Sequence, residues 1–304
     1  MRKLFNKINE LWLSFRKWSD RNIFGYLIGS IIKLVLILAI LLLVFYSLFI
    51  IGPFKDKTSS DSAVSDSSDT ANDNCTVRGI ELHGTIMTYL PLHADNDTNF
   101  NYDSVSSENV DYAIKQANDD EKIKAIVVEV DSPGGSPVAG EEIANAIKGS
   151  DKPVVAYIRE LGASSAYWAI SSASKIFASE NSNVGDIGIT SSYVSDAGKN
   201  AKDGLTFEQL SAGKYKDAGN IDKPLTTEER ALFMRDVNIV YQNFIKTVAQ
   251  NRNIPIDKVR SIADGSSMLG VTALKLNLID AIGGLPEVEQ YIEKTTNEKP
   301  DICW

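Results

Sequence analysis

The segment KIKAIVVEVDSPGG, Lys122 to Gly135, has the pattern of a buried β-strand that ends in a turn. Its apolar run, Ala125 to Val130, is interrupted only by Glu129 and is rich in valine and isoleucine, which favour strands. A proline and two glycines close the run, as is typical where a strand gives way to a loop. A continuous apolar run, without alternation of polar residues, indicates a strand that is covered on both faces.

Strand and helix signals alternate on both sides of this segment. Strands are predicted in VRGIELHGTIM (77–87), KPVVAYIRE (152–160) and KIFAS (175–179). Helices are predicted in SVSSENVDYAIKQANDD (104–120), in GEEIANAIKG (140–149) and directly after LGAS (161–164). Such alternation favours parallel strands joined by helical crossovers, so the sequence predicts an α/β layer fold.

The last third of the chain is predicted to be helical. Residues 224–253 begin with a capping box, Thr226 and Glu229, and further helices are predicted near 255–264 and across 270–280. One face of the first of these helices carries an apolar stripe, made of Phe233, Val237, Val240, Phe244 and Val248. We interpret this stripe as core and assign it no chemistry.

The N-terminal region predicts a membrane anchor. Residues 26–54 are almost entirely apolar, and Leu34 to Ile51 carry no charge, which is long enough to cross a bilayer. A cleaved signal peptide has a shorter apolar region. Residues 1–25 hold six basic and two acidic side chains, so the positive-inside rule places them in the cytoplasm and the rest of the chain outside it. The net charge of −9 argues against nucleic-acid binding.

Residues 55–75 predict a disordered linker, since they are dominated by Ser, Asp, Asn, Thr and Ala. A folded domain is predicted from 76 to 295, followed by a short tail, 296–304. The two cysteines, Cys75 and Cys303, lie at the ends of this domain and could pair on the oxidising side of a membrane. Two unpaired thiols are the alternative. Their spacing does not resemble a metal site.

Five serines lie in ELGASSAYWAISSASK, Glu160 to Lys175, and make a serine nucleophile conceivable. A histidine base is poorly supported, because His83 falls in a predicted strand and His93 in a polar loop. A lysine can serve instead when burial lowers its pKa from about 10.4 toward about 7 to 8. The turns DSPGG (131–135) and GAS (162–164) follow two successive strands, so both are expected at the same edge of the sheet.

Several motifs in one order resemble the bacterial signal peptide peptidase A family, in its short, single-repeat form. The motifs are VVEVDSPGG (127–135), GASSAYWAISSASKIFAS (162–179), NVGDIGI (183–189), GKYKDAG (213–219), LTTEER (225–230) and ADGSSMLGVTALKLNLIDAIGGL (263–285). The resemblance implies a fold of repeated ββα units like that of Clp protease and crotonase. It also implies a serine/lysine dyad.

By this resemblance Ser164 is the nucleophile and Lys216 the general base. The N–H groups of Gly134 and Ser165 are expected to form the oxyanion hole. Ser165 remains an alternative nucleophile. Lys214 remains an alternative base, because two residues that are two apart face the same way in an extended segment.

The chain departs from the family pattern around the expected dyad. Ser165 and Ala166 replace two glycines, and the bulkier Trp168 takes the place of the second aromatic residue. Asp186 stands where the family has a serine that contacts the lysine. An ionised carboxylate there would raise the lysine pKa and oppose its role as a base. Asp186 is therefore expected to be protonated, to point away, to shift activity to higher pH or to silence the dyad.

The function predicted from the resemblance is a membrane-anchored serine endopeptidase that degrades remnant signal peptides. It is expected to bind lipid through residues 26–54 and to form a homo-oligomeric ring or dome, with Lys216 supplied by a neighbouring subunit. No metal, cofactor or nucleic acid is expected. A catalytically silent peptide-binding scaffold is the alternative. An acyl-CoA enzyme of the crotonase fold is disfavoured, because coenzyme A is scarce outside the cytoplasm.

Overall fold

The computed structural model describes residues 75–90 and 104–304, together with positions 34, 37, 38, 41 and 42. The chain divides into two compact units, Met1–Ser68 and Asp69–Trp304. The five described positions of the first unit are helical and exposed. Among the described residues, no helix has the length and apolar composition needed to cross a bilayer. Apart from those five positions and Cys75, the predicted segments 1–25, 26–54 and 55–75 lie outside the described residues, as does His93.

A single sheet forms the centre of the second unit. Its strands are β1 Val77–Met87, β2 Ser104–Ser106, β3 Ala125–Gly135, β4 Val154–Ala163, β5 Lys175–Ala178, β6 Asn183–Gly185, β7 Ser267–Leu269, β8 Ala281–Ile282 and β9 Ile302–Cys303. The strands β2-β1-β3-β4-β5-β8 lie in this order and pair in parallel. Strand β6 pairs in parallel with β4 and antiparallel with β7. The predicted α/β class is confirmed.

Helices cover both faces of the sheet. They are α1 Ser107–Asp119, α2 Pro137–Lys148, α3 Ser165–Ile170, α4 Ala197–Lys202, α5 Thr227–Asn251, α6 Ile256–Ile262, α7 Gly270–Lys275 and α8 Leu285–Thr296. Ile126, Val128 and Val130 of β3 pack into the core that holds α1, α2, α3 and the end of α5. Ala125 and Val127 pack on the other face, against α8. Cover on both faces explains the continuous apolar run in β3.

Helix α5 begins at the predicted capping box, in which the side chain of Thr226 accepts from the Glu229 N–H and the Glu229 carboxylate accepts from the Thr226 N–H. The prediction that its whole apolar stripe is core is wrong. Phe244 and Val248 are buried and Val240 packs partly buried against the same core, whereas Phe233 and Val237 are only partly buried and are not part of it. The reason is geometric, because the N-terminal half of the helix extends beyond the core that covers its C-terminal half.

Cys75 and Cys303 form a disulfide, with their Cα atoms 5.8 Å apart. The bond holds the C-terminal strand β9 against the start of β1, where Arg78 pairs with Cys303. The Trp304 ring lies against Gly79, where a β-carbon would come within 2.5 Å of it. The segment 296–304, predicted as a tail, therefore contributes a strand to the sheet.

Replacement of Cys303 by serine is expected to lower the free energy of unfolding by about 5 kcal/mol, because the bond closes a long loop in the unfolded chain. The sequence separation of the two cysteines is 228 residues. Denaturant titration of wild type, Cys303→Ser, Cys75→Ser and the double variant measures the effect. The three variants should be equally destabilised, and a double variant as stable as wild type would contradict the structural role of the bond.

Candidate active site

Ser164 occupies the turn between strand β4 and helix α3, in a backbone conformation that is rare for serine. Its φ is 54° and its ψ is −129°. The Ser164 N–H donates to the Gly185 carbonyl at 2.8 Å, and its carbonyl accepts from the Trp168 N–H at 3.0 Å. A left-handed backbone at a non-glycine residue costs about 1 to 3 kcal/mol and is concentrated at functional sites. The side chain of Ser164 is half-buried and borders two cavities.

The other serines of this stretch are less suited to attack a substrate. Ser165 is 3% exposed and lies under the turn. The hydroxyl groups of the remaining three donate to backbone carbonyls: Ser171 to Trp168, Ser172 to Ala144 and Ser174 to Val154. The structure therefore separates Ser164 from three serines whose hydroxyl groups donate to backbone carbonyls, and from Ser165, which is buried although it lines one of the same cavities.

The Pro-Gly-Gly turn at the end of β3 packs directly against Ser164. Gly134 has a φ of 95°, and a β-carbon on it would lie 2.8 Å from both the Ser164 β-carbon and the Ser165 nitrogen. Only glycine permits this close approach. The Gly134 N–H donates to Ser132 Oγ at 3.0 Å, and Ser132 Oγ donates to the Gly84 carbonyl at 2.6 Å.

Gly135, which the sequence analysis did not assign to the site, borders the smaller cavity beside Ser164. The N–H of Gly134 must leave Ser132 before it can bind an oxyanion, so its place in the oxyanion hole stays a prediction. The Ser165 N–H lies at the start of α3, next to the turn. A signal for Gly135 was present in the sequence, since both glycines follow the same proline, but the pattern does not distinguish them.

Two cavities meet at Ser164. The smaller has a volume of about 90 Å³ and is lined by Gly135, Pro137, Ser164, Ser165, Trp168, Phe244 and residues 188–190. The larger has a volume of about 460 Å³ and is lined by Ser164, Asp186, residues 188–190, four residues of α5 and residues 263–265. An extended peptide bound across Ser164 would therefore find space on both sides of the nucleophile.

Asp186 follows strand β6 and lines the larger cavity together with Ser164. Its φ is 50°, and its N–H donates to the Ser266 carbonyl at 3.2 Å. Burial raises the pKa of the Asp186 carboxyl above its usual value. Within the described part of the chain, no residue forms a hydrogen bond or ion pair with this carboxylate. Asp186 thus faces the site, and its surroundings favour the protonated form.

Lys216 is exposed in the loop between α4 and α5, and it does not line either cavity beside Ser164. Its backbone N–H donates to the Gly213 carbonyl at 3.1 Å. One copy of the chain therefore does not bring Lys216 to Ser164. The alternative base, Lys214, is also exposed, and a hydrogen bond with Tyr215 raises its pKa, which is opposite to what a base needs near neutral pH.

His83 has a structural role on the opposite face of the sheet. Its Nε2 lies 3.0 Å from Glu129 Oε1, and the same buried carboxylate accepts from Tyr157 Oη and from Arg159 Nη1. Among the described residues, no cluster of His, Cys, Asp and Glu has the arrangement of a metal site.

The chain is similar to several known proteins. A protein-family model described as Peptidase family S49 matches residues 146–299. The chain is 34% identical over 186 residues to a "putative protease" of Methanocaldococcus jannaschii, covering 60% of each protein. It is 32% identical over 197 residues to the chloroplastic serine protease SPPA of Arabidopsis thaliana, covering 64% of this chain and 29% of that protein. The match thus spans less than two thirds of each relative.

Among solved structures, a mutant of ClpP1 from Listeria monocytogenes aligns with a TM-score of 0.45 and 14% identity. The alignment covers 69% of this chain and 93% of that one.

Asp186→Asn is expected to stabilise the protein at neutral pH and to have no effect at low pH. The folded-state pKa of Asp186 is raised, so the wild type loses stability as the pH rises through that pKa and the partly buried carboxyl ionises. Asparagine tolerates the positive φ at this position. Thermal midpoints (Tm) of both proteins between pH 3 and pH 8 measure the difference.

The matched control is Asp264→Asn in the same cavity. Hydrogen bonds from Ser266 lower the Asp264 pKa, so this carboxylate stabilises the folded state once the pH is above its unfolded pKa. The control should therefore lower Tm at neutral pH. Equal changes in Tm from the two substitutions at every pH would contradict the conclusion that the pKa of Asp186 is raised and the pKa of Asp264 is lowered.

Proposed function

The chain belongs to peptidase family S49, and from this premise we propose that it is a membrane-anchored serine endopeptidase. It uses a Ser164/Lys216 dyad to degrade remnant signal peptides and other membrane-associated peptides. The observation that carries the proposal is the left-handed backbone of Ser164, which is held against Gly134 and opens onto two cavities. This arrangement exposes a hydroxyl next to backbone N–H groups that lie at the end of a parallel sheet.

The chemistry follows from these groups. Ser164 Oγ attacks the carbonyl carbon of the scissile bond while its proton passes to Lys216 Nζ, and backbone N–H groups at Ser165 and at the Pro-Gly-Gly turn bind the oxyanion. When the C–N bond breaks, Lys216 returns the proton to the leaving amine. A water molecule, deprotonated by Lys216, then attacks the ester carbonyl, the acyl C–O bond to Ser164 breaks, and Lys216 returns the proton to Ser164 Oγ as the acid leaves.

A second copy of the chain supplies Lys216 in this proposal. The loop that carries Lys216 displays apolar side chains, among them Leu205, Phe207 and Leu210, which are 61%, 40% and 90% exposed. Their burial against a neighbouring copy would be favourable, at about 25 cal/mol per Å² of apolar surface. The same contact would remove Lys216 from water, which lowers the pKa of an amine. The larger cavity offers space for that amine beside Ser164.

The disulfide supports a location outside the cytoplasm, because disulfides persist in oxidising compartments. The apolar segment 26–54 and the basic residues before it support a single anchor with its N-terminus in the cytoplasm. Signal peptides left in the membrane after secretion would then lie close to the catalytic domain. A catalytically silent peptide-binding scaffold is the second candidate, and it is favoured by Asp186 in the cavity where an ionised carboxylate would hold a lysine protonated.

Full-length wild type in detergent is expected to cleave a quenched leucine- and alanine-rich peptide, and Ser164→Ala and Lys216→Ala should each lower kcat by about 10³-fold or more. Neither variant alone can complete a dyad. Co-expression of the two variants should restore part of the activity. In mixed oligomers, a copy that carries Lys216→Ala keeps Ser164 and can receive Lys216 from a neighbouring copy that carries Ser164→Ala.

The control is Lys214→Ala, which removes a nearby exposed lysine and should retain wild-type activity. Wild-type rates in Ser164→Ala or Lys216→Ala would contradict the dyad. Inactive mixtures would contradict the sharing of a site between copies. A wild type that binds the peptide but leaves it intact from pH 7 to pH 10 would favour the scaffold.

A further inference from the structure

The loop between α4 and α5 changes character at Lys216. Residues 201–216 are all exposed, whereas residues 217–220 are partly buried. Within the described part of the chain, the Lys216 amine has no hydrogen-bond or ion-pair partner. Lys216 is therefore the last residue of an exposed segment, and it directly precedes a segment that packs on the domain.

Lys223 is the centre of the contacts that anchor this second segment. Its Nζ lies 2.8 Å from Glu229 Oε1 and 3.5 Å from Asp217 Oδ2. The exposed fractions of the three side chains are 17% for Lys223, 6% for Glu229 and 22% for Asp217. Asp217 Oδ2 is shielded from water and has no hydrogen-bond partner among the described residues, so its contact with Lys223 is an ion pair alone. The three residues form a clamp that joins the residue after Lys216 to the start of α5.

The two carboxylates of the clamp are themselves held in place. Glu229 Oε2 accepts from the Thr226 N–H at 2.9 Å, within the capping box that begins α5. Asp217 Oδ1 accepts from Asn220 Nδ2 at 3.0 Å. The hydrogen bond with Lys223 holds the pKa of the Glu229 carboxyl below its usual value, so both partners are charged at neutral pH. The clamp therefore has fixed geometry at each end.

The turn between Asp217 and Lys223 packs on the same helix. Gly219 has a φ of 79°, and a β-carbon on it would lie 3.0 Å from Cζ of the Phe233 ring. Glycine permits both the left-handed backbone and the close approach. Four residues further along α5 line the larger cavity beside Ser164. The helix that holds the Lys216 loop at its first turns therefore also forms a wall of the Ser164 site.

We propose that Lys223 is a positioning residue, which clamps Asp217 to Glu229 and thereby presents Lys216 to the Ser164 site of a neighbouring copy. Because the Asp217 carboxylate is drawn toward α5, the adjacent Lys216 is left on the exposed side of the loop. The proposal deepens the proposed function and rests on it, since it requires Lys216 to be the base of the dyad.

Stability alone does not account for a charged clamp at this place. Two carboxylates and one ammonium group lose most of their water here, and the attraction between shielded charges often does no more than offset that loss. Apolar side chains packed on Phe233 would hold the loop as firmly. Charged contacts differ in that they depend on the mutual position of their partners. A fixed position is what a general base needs, since a displacement of about 1 Å can lower a rate about 100-fold.

The test uses mixed oligomers, in which the two dyad residues come from different chains. One chain carries Lys216→Ala and supplies Ser164, and the other carries Ser164→Ala and supplies Lys216. The full-length chains are co-expressed with different affinity tags, purified in detergent through both tags and assayed with the quenched leucine- and alanine-rich peptide. Lys223→Met, which keeps most of the side chain and removes its charge, is then placed on either chain.

Lys223→Met on the chain that supplies Lys216 is expected to lower kcat about 100-fold, whereas on the chain that supplies Ser164 it should change kcat less than about threefold. Lys223→Arg on the chain that supplies Lys216 keeps the charge and should retain at least about a third of the activity. The matched control is Lys246→Met, which removes an exposed lysine of the same helix and should leave the activity unchanged on either chain.

Equal losses from Lys223→Met on the two chains would overturn the proposal, because a role in folding or assembly does not depend on which dyad residue a chain supplies. Full activity with Lys223→Met on the chain that supplies Lys216 would overturn it too. So would a loss with Lys223→Arg as large as that with Lys223→Met, since the charge would then not matter.

Oligomers of a single chain separate these failures from that of the proposed function. If Ser164→Ala and Lys216→Ala are each inactive and every mixture of them is inactive as well, Lys216 is not presented to a neighbour and the clamp fails, while the dyad stands. If wild type cleaves nothing, or if either single variant cleaves as fast as wild type, the proposed function and the clamp fail together.

Discussion

The left-handed backbone of Ser164 is the constraint on which the candidate site depends. A serine held there costs about 1 to 3 kcal/mol, and the surrounding sheet must supply that energy. Strand β6 does so by accepting the Ser164 N–H at Gly185, and β3 by ending in a glycine that leaves room for the turn. The same turn starts helix α3, so one backbone conformation places the hydroxyl, the Ser165 N–H and the two cavities beside each other.

The sequence predicts the parts of the fold that local patterns determine. The buried run in β3, the alternation of strands and helices and the capping box of α5 all depend on residues close together in the chain. The contact between the turns at Gly134 and Ser164 was also predictable, because successive parallel strands end at one edge of the sheet. Ser164 lies in the second of these turns, but its choice over Ser165 as the nucleophile depended on the family resemblance.

Other features depend on long-range packing and could not be predicted. Strands β9 and β1 pair although they lie at opposite ends of the domain's sequence. The sequence left open whether Cys75 and Cys303 form a disulfide or remain two free thiols. The choice between Gly134 and Gly135 depends on the hydrogen bond to Ser132 Oγ, which no pattern reveals. The partial exposure of the N-terminal half of α5 depends on where the core ends. The position of Lys216, which lines neither cavity beside Ser164, could not be predicted from the sequence either.

Three residues at which the chain departs from the family pattern, Ser165, Trp168 and Asp186, line the cavities beside Ser164. Asp186 faces the larger cavity and its pKa is raised by burial, so its charge at working pH decides how a lysine amine would behave there. Ser165 and Trp168 line the smaller cavity. All three residues act on the space around one hydroxyl, which makes the reactivity of Ser164 the central claim.

That reactivity is tested most directly by labelling the full-length protein with a fluorophosphonate, which reacts with activated serines, and by locating the adduct with mass spectrometry. A single adduct on Ser164 is expected, retained in Ser165→Ala and lost in Lys216→Ala. An adduct on another serine, or none under conditions in which peptides are cleaved, would contradict the account.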